Sequence, residues 1–236
     1  MKKAKRTPRD RVREARYAVY RQHVMEAAEE VFSERGFADA SMQEIGRRAG
    51  VSMGTIYSVF RSKEEVLQAI LEQRGGEILE LVRNVASKQG PATEALLELL
   101  REYVKFFSMH PAFLRMHLRL GAPWIHSPED QAGRRAATWE EIQRLQASIL
   151  KRAMEEGEVV EADPMLLARL LSAVNQTLLA HWVSDGMTRP TDALLTEVEH
   201  WVRRLLWKSR VEATPSAQRL TARPTGSTGS PAPREL

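Results

Sequence analysis

Apolar side chains recur every three to four residues along most of this 236-residue chain, a spacing that is typical of amphipathic helices. The first stripe covers residues 19–37, and further stripes follow to about residue 209. No alternating pattern typical of strands competes with them. The pattern predicts an all-α protein of about nine helices, separated at Gly50, Gly90-Pro91, His110-Pro111, Ser127-Pro128, Gly157, Asp163-Pro164, Gly186 and Arg189-Pro190.

Residues 41–63 carry the most specific pattern in the chain. Ser41 and Glu44 have the spacing of a capping box at the start of a short helix, and Gly50 ends that helix. Ser52 can then cap a second helix. Two short helices joined by a glycine turn predict a helix-turn-helix, whose second helix enters the DNA major groove. An ordinary helical hairpin inside an all-helical protein has the same spacing and is the alternative.

The sequence around this unit resembles the DNA-binding domain of the TetR (AcrR-like) family of transcriptional regulators. The stretch AGVSMGTIYSVFRSKEEVL is similar to that domain, as is AAEEVFSERGFADASMQEIGRRAG before it. The similarity covers about residues 17–71. Two positions depart from the family pattern: Gly46, where Ala is common, and Val59, where His or Tyr is common.

The resemblance implies that the second helix of the pair lies against operator DNA. Tyr57 and Lys63 are expected at backbone phosphates, and Ser41 is expected at the helix N-terminus where a phosphate oxygen binds. Val59 cannot form a hydrogen bond through its side chain, so one phosphate contact is expected to be absent. The DNA-binding residues that we expect are Ser41, Gln43, Ser52, Met53, Gly54, Thr55, Tyr57, Ser58 and Lys63.

Positive charge is concentrated at the N-terminal end. Residues 1–63 hold 14 Lys and Arg against 8 Asp and Glu, whereas the net charge of the whole chain is only +4. A basic end suits a nucleic-acid partner. Residues 1–16 are predicted to form a basic flexible arm, which either stays solvated or follows the minor groove or the backbone of DNA.

Composition excludes several classes of protein. The chain has no cysteine, which rules out disulfides and zinc–thiolate sites and is typical of a cytoplasmic protein. Its longest uncharged run, residues 170–184, is too short and too polar to span a bilayer. We therefore expect a cytoplasmic protein with no membrane partner, metal or cofactor. Residues 211–236 are rich in Thr, Pro, Ser and Gly and are predicted to be disordered.

The domain organisation predicted from these patterns places the helix-turn-helix domain at residues 17–62 and a larger helical domain at residues 63–210. The resemblance implies that the larger domain binds an effector. The candidate lining residues are aromatic, Met, His and Asn side chains, each of which could instead be plain core: Phe106, Phe107, His110, Phe113, Met116, His117, Trp124, Trp139, Asn175 and His181.

The last two predicted helices are apolar on more than one side, so each must bury more than one side. A larger monomer core is one solution. The other, which the resemblance implies, is a homodimer in which these helices meet their copies through Leu167, Leu171, Val174, Leu178, Leu194, Val198, Trp201 and Leu205.

Catalysis fits the sequence poorly. His110 and His117 are seven residues apart, too far to share a metal on one helix, and the chain has no phosphate-binding glycine loop or nucleophile elbow. The sequence therefore predicts a homodimeric transcriptional repressor, released from a palindromic operator by a small hydrophobic or aromatic ligand. An activator or ligand-independent regulator of the same fold is the first alternative, and a helical enzyme is the second.

Overall fold

A computed structural model describes residues 7–121 and 134–208. Within these ranges the regular structure is helical, apart from one isolated antiparallel bridge between Val159 and Trp207. The all-α prediction is confirmed. The helices are α1 (Pro8–Arg35), α2 (Met42–Arg48), α3 (Met53–Val59), α4 (Lys63–Ala86), α5 (Ala92–Met109), α6 (Pro111–Arg119), α7 (Arg134–Glu155), α8 (Pro164–Ser184) and α9 (Thr191–Leu206).

Helix α1 begins well before its apolar stripe, where the sequence predicted a flexible arm. The Thr7 hydroxyl accepts a hydrogen bond from the Asp10 amide at 3.2 Å, and the Asp10 carboxylate accepts one from the Thr7 amide at 3.2 Å. Pro8 occupies the first turn, where no amide donor is needed. The arginines that suggested an arm are also good helix formers. The prediction is therefore wrong for residues 8–16, and residues 1–6 lie outside the described part.

The caps predicted for the next two helices are present, and the helix after them is capped in the same way. Ser41, Ser52 and Ser62 precede α2, α3 and α4, and each hydroxyl accepts a hydrogen bond from the backbone amide three residues later, at 3.2–3.3 Å. Each satisfies an amide that the first helical turn leaves without a partner. The Glu44 carboxylate does not complete the predicted capping box. It lies 2.8 Å from the Nε of Arg35, at the end of α1.

The hydrophobic core is continuous from the N-terminal helices into the larger helical part. At the N-terminal end, α1 packs on α2, α3 and α4. Helix α4 runs unbroken through Gly75 and Gly76 and packs along α7, which packs along α8. The fully buried side chains of the N-terminal part include Val24, Ala28, Val31, Phe32, Ile45, Ile56, Phe60, Val66 and Ile70.

A buried ion pair joins α1 to α4. Arg74 binds Glu29 with both ends of its guanidinium, Nε to Oε1 at 2.8 Å and Nη2 to Oε2 at 3.2 Å. Its Nη1 donates to Glu77 Oε2 at 2.9 Å and lies 3.4 Å from His110 Nε2. A bidentate pair of this kind has a fixed geometry, so it holds the N-terminal helices against the middle of α4.

The C-terminal helices agree with their predicted starts more closely than with their ends. Asp163 caps α8 by accepting a hydrogen bond from the amide of Leu166 at 2.8 Å. Helix α9 ends at Leu206, three residues before the predicted end. The predicted helix start at Ser127 and the predicted disordered tail both lie outside the described residues. In the described ranges, none of the helices combines the length and the apolar character that crossing a bilayer requires.

Candidate DNA interface and effector cavity

Helix α3 presents most of the predicted DNA-binding residues on its outer face. Ile56, Val59 and Phe60 are buried in the core, and this fixes which way the helix faces. Thr55 is half-buried, and its hydroxyl lies 2.9 Å from that of Ser52. The exposed predicted residues are Ser41, Gln43, Ser52, Met53, Gly54, Tyr57 and Ser58.

Val59 stands where the family pattern commonly has His or Tyr, and it makes a structural contact through its backbone. Its side chain is 2% exposed, so it packs in the core and does not face the surface on which a phosphate would lie. Its carbonyl oxygen accepts a hydrogen bond from the Tyr17 hydroxyl at 3.2 Å. This bond ties the middle of α1 to the end of α3.

The geometry of Lys63 does not support the phosphate contact that the resemblance implied. Its Nζ donates to the carbonyl oxygens of Phe37, Ala38 and Ala40 at 2.9, 2.8 and 3.2 Å. An ammonium group has three N–H donors, and all three are used by these bonds. Lys63 therefore braces the connection between α1 and α2, and could reach a phosphate only by giving up one of them.

The early turns of α1 form a basic surface beside α3. Arg9, Arg13 and Arg16 recur at helical spacing and are exposed. They line an open groove between the two helices, together with Pro8, Val12, Tyr17, Tyr20, Ser58 and Val59. The sequence showed the charge of this segment, but not that a helix would place it beside the predicted recognition helix.

Helices α4 to α8 enclose a cavity of about 50 Å³. Four of the predicted effector residues line it: Phe107, His117, Trp139 and Asn175. The remaining lining is largely apolar with one polar wall. It consists of Ile78, Tyr103, Leu114, Leu118, Ile142, Gln143, Gln146, Ser172, Gln176 and Leu179.

The other predicted effector residues do not line this cavity. Phe106 and Phe107 are adjacent, so they point about 100° apart on α5 and only one faces inward. His110 lies against Arg74, and His181 is exposed near Asp185, with 3.6 Å between Nε2 and Oδ2. The prediction is corrected for Phe106, His110, Phe113, Met116 and His181, while Trp124 lies outside the described residues.

A chain of hydrogen bonds along one wall was missed by the sequence reasoning. Gln143 Nε2 donates to Ser172 Oγ at 2.9 Å, and Gln146 Nε2 donates to the Tyr103 hydroxyl at 2.9 Å. Ser172 Oγ also lies 3.3 Å from Gln146 Oε1. The available signal was the pair of glutamines three residues apart on the apolar face of α7.

The cavity is electrically neutral as far as the described residues go. None of its described lining residues is Asp, Glu, Lys or Arg. Burial lowers the pKa of His117 to about 3, so its imidazole is uncharged at neutral pH. The same physical cause raises the pKa of the Tyr103 hydroxyl. In the parts of the chain that are described, no group of three acidic or histidine side chains could hold a metal ion.

The outer face of α8 and α9 is apolar. Leu166, Leu170, Trp201 and Leu205 are between 46% and 54% exposed, and Leu170, Trp201 and Leu205 line a surface groove with Val174 and Leu178. Half of the predicted dimer residues are instead inside the protomer. Because α8 buries its other side against α7 and α9 packs on α5, the prediction is corrected for Leu167, Leu171, Leu194 and Val198.

An all-α fold with an exposed, capped helix pair at its basic end defines the class of helix-turn-helix DNA-binding proteins. Residues 24–70 match the family model described as bacterial regulatory proteins, tetR family. The chain therefore carries a DNA-binding domain of the tetR family at these residues.

Relatives with known names agree with this assignment. The HTH-type transcriptional regulator SrpR of Pseudomonas putida is 48% identical over 54 residues, which are 23% of this chain and 25% of that protein. The chain thus matches only a quarter of that relative's length. The named relatives are regulators, which argues against the enzymatic alternative.

Solved structures resemble the chain over most of its length. SmeT of Stenotrophomonas maltophilia in complex with triclosan has a TM-score of 0.61 at 21% identity, covering 92% of this chain and all of that one. FadR of Bacillus subtilis in complex with stearoyl-CoA has a TM-score of 0.64 at 20% identity, covering 77% and 96%. At this level of identity the likeness shows a shared fold.

Proposed function

We propose that this TetR-family protein is a cytoplasmic transcriptional repressor that binds a palindromic operator as a homodimer and is released by a small apolar ligand. The observation that carries the proposal is the outer face of α3, which is capped by Ser52, anchored by Ile56 and Phe60, and otherwise exposed. The DNA-binding domain would be residues 8–62, and the effector and dimerisation domain residues 63–210.

The DNA-binding surface that we propose combines base readout by α3 with phosphate contacts on either side. Met53, Thr55 and Ser58 lie on the N-terminal and outer parts of α3, where base edges are read. Tyr57 is exposed and offers a hydroxyl to a phosphate. The arginines along the early turns of α1 would add electrostatic contacts that do not depend on sequence.

The apolar outer face of α8 and α9 supports the homodimer. Leu170, Trp201 and Leu205 line one surface groove, Leu166 is also exposed on α8, and large exposed apolar patches mark interaction sites. A two-fold axis through this face would relate two protomers, each of which presents its own copy of α3. Two recognition helices about 34–36 Å apart read the halves of a palindrome.

Release by a ligand is supported by the position of the cavity. Ile78, on α4, lines it, and the same helix begins at Lys63 beside the DNA-binding helices. A ligand that enlarges the cavity would therefore displace α4 and with it α3. SmeT, a repressor, is known with triclosan, and FadR is known with stearoyl-CoA, so the fold accommodates ligands in relatives.

A ligand-independent regulator is the second candidate, and the size of the cavity favours it. A volume of about 50 Å³ holds a few water molecules, since each needs roughly 10–15 Å³. In this alternative the cavity is a packing defect. An activator would use the same DNA and dimer surfaces, so the sign of regulation is a separate measurement.

Selection of bound sequences from random duplex DNA at near-physiological salt tests the proposal. We expect the purified protein to enrich a palindrome, because a two-fold dimer presents two identical readers. The variants Met53→Ala and Ser58→Ala change exposed side chains and should shift the enriched bases while leaving the fold intact. Salt-sensitive binding without enrichment would reduce the protein to a general DNA binder, and an absence of binding would contradict the proposal.

A further inference from the structure

The polar wall of the cavity has a defined direction of donation. Ser172 has a single hydroxyl proton, which the Ala168 carbonyl at 3.1 Å and Gln146 Oε1 at 3.3 Å compete for. The Ser172 oxygen therefore accepts the hydrogen bond from Gln143 Nε2. That bond uses the amide nitrogen of Gln143 and turns its carbonyl oxygen away from the chain of bonds.

Two buried oxygen acceptors at this wall have no hydrogen-bond partner among the described residues. They are Gln143 Oε1 and Asn175 Oδ1, and both residues line the cavity. Asn175 is 8% exposed and lies three residues after Ser172, on the same side of α8. A buried acceptor without a donor is costly, so each donor hydrogen placed in the cavity would relieve that cost at the oxygen it reaches.

The rest of the lining restricts the charge and shape of what fits. Phe107 and Trp139 contribute flat rings, and Ile78 and Leu179 contribute aliphatic surface. No Lys or Arg is present among the described lining residues to balance an anion, and no Asp or Glu to balance a cation. A buried charge without a partner is strongly disfavoured, so a neutral apolar body fits best.

We propose that the effector is a neutral molecule with an aromatic body and an N–H or O–H group whose hydrogen is donated to Asn175 Oδ1; only a group with a second hydrogen, such as an amine, would also reach Gln143 Oε1. This inference rests on the effector role proposed above. A carboxylate or a phosphate ester is not expected to bind in this cavity, because both of those carry negative charge.

Entry of such a molecule requires the walls to move apart. A cavity of about 150 Å³, engineered in another protein, is large enough to hold benzene. That volume is about three times the volume of the cavity in this protein. The ligand thus stabilises an expanded state, and its measured affinity is reduced by the cost of reaching that state. A hydrogen bond to Asn175 Oδ1 lowers that cost only for a ligand that carries a donor.

Three naphthalene derivatives test the inference on the full-length protein without DNA. At pH 7, 2-naphthol is a neutral donor, 2-methoxynaphthalene lacks the donor, and 2-naphthoate carries a charge. Calorimetric titration should show 2-naphthol binding at least about tenfold more tightly than either of the others, the factor expected for one hydrogen bond in a buried site. Equal or tighter binding of either analogue, or no binding of 2-naphthol, would overturn the proposal.

Substitution of Asn175 tests whether this residue accepts the hydrogen bond from the ligand. Asn175→Leu keeps the approximate volume and removes the acceptor, so the preference for 2-naphthol over 2-methoxynaphthalene should fall towards onefold. Thr177→Val, on the exposed side of α8, is the matched control and should keep the preference. An unchanged preference in folded Asn175→Leu would contradict the assignment, and Asn175→Ala, which also removes the acceptor, is measured in its place if that variant does not fold.

The proposed DNA-binding function and the proposed ligand class can be refuted independently of each other. Operator selection is carried out without ligand, so an enriched palindrome together with no preference for 2-naphthol would refute the ligand class and leave the DNA-binding function standing. Absence of operator binding with a clear preference for 2-naphthol would refute the regulator and leave a neutral-ligand site in the cavity.

Discussion

His117 shows how its surroundings set the charge of one residue. Its imidazole is 1% exposed and lies between aromatic rings, with centroid distances of 5.5 Å to Phe113 and 6.3 Å to Phe107 and Trp139. Burial lowers its pKa to about 3. In the unfolded chain the same group has its ordinary pKa of 6.5.

This difference makes stability depend on pH. Because the folded pKa is depressed, the contribution of His117 is present above pH 6.5 and is lost as the pH falls from about 6.5 towards 3. Denaturant titration should show the unfolding free energy falling by up to about 1.4 kcal/mol per pH unit in this window. The variant His117→Leu should lose this part of the slope.

The matched control is Met116→Leu, because Met116 is also 1% exposed on α6 and its replacement removes no titratable group, so the slope should stay unchanged. If His117→Leu retains the full wild-type slope below pH 6.5, the imidazole is not the group responsible, and the proposed neutrality of the cavity loses its support at this residue.

Lys63 shows why identifying a residue by resemblance is not enough to assign its contacts. The sequence correctly placed it at the first position of α4. It could not show that the carbonyls of Phe37, Ala38 and Ala40 converge on its ammonium group, since that depends on how α1 and α4 pack.

At the scale of elements, the sequence predicted helices where local chemistry decides the outcome. The caps at Ser41, Ser52 and Ser62 and the breaks at Gly50 and Pro111 depend on neighbouring residues only. The inward side of a helix depends on its partners. Thus Phe107 was placed correctly at the cavity and its neighbour Phe106 was not, and the glutamines of α7 were overlooked.

The early turns of α1 give the clearest prediction at this scale. Replacing Arg9, Arg13 and Arg16 by Ala should weaken binding to every DNA sequence alike, because these side chains would meet phosphates. The slope of log affinity against log salt should decrease by as much as about 0.9 for each arginine that contacts a phosphate. Helix content should change little, since Ala is a strong helix former.

Arg144→Ala is the control for this triple variant, because Arg144 is exposed on α7 and pairs only loosely with Glu140, at 3.6 Å. It should leave both affinity and salt slope unchanged. A triple variant with wild-type affinity and slope would show that the groove beside α3 does not meet DNA.

At the scale of the whole molecule, the outer face of α8 and α9 is the surface through which we propose that two copies of the chain meet. Leu170→Glu and Leu205→Glu together would place charges on the exposed apolar surface without entering the protomer core. We expect light scattering to report a monomer and the affinity for a palindromic operator to fall by at least about tenfold, because each half-site would then be bound by itself.

Met109→Glu serves as the control for this double variant. Met109 is 58% exposed at the end of α5, away from α8 and α9 in sequence, and its substitution should leave the molecular mass unchanged. A double variant that stays dimeric would place the interface elsewhere on the molecule.

Helix α4 is one continuous helix that begins beside the DNA-binding helices and passes the cavity at Ile78. Ile78 lies fifteen residues after Lys63, a distance of about 22 Å along the axis at 1.5 Å per residue. With Ile78 as the pivot, a tilt of about 5° would carry the Lys63 end through about 2 Å by the same geometry. In the proposed two-fold pair these displacements would add, so the helix would act as a lever arm that changes the distance between the two DNA-reading helices.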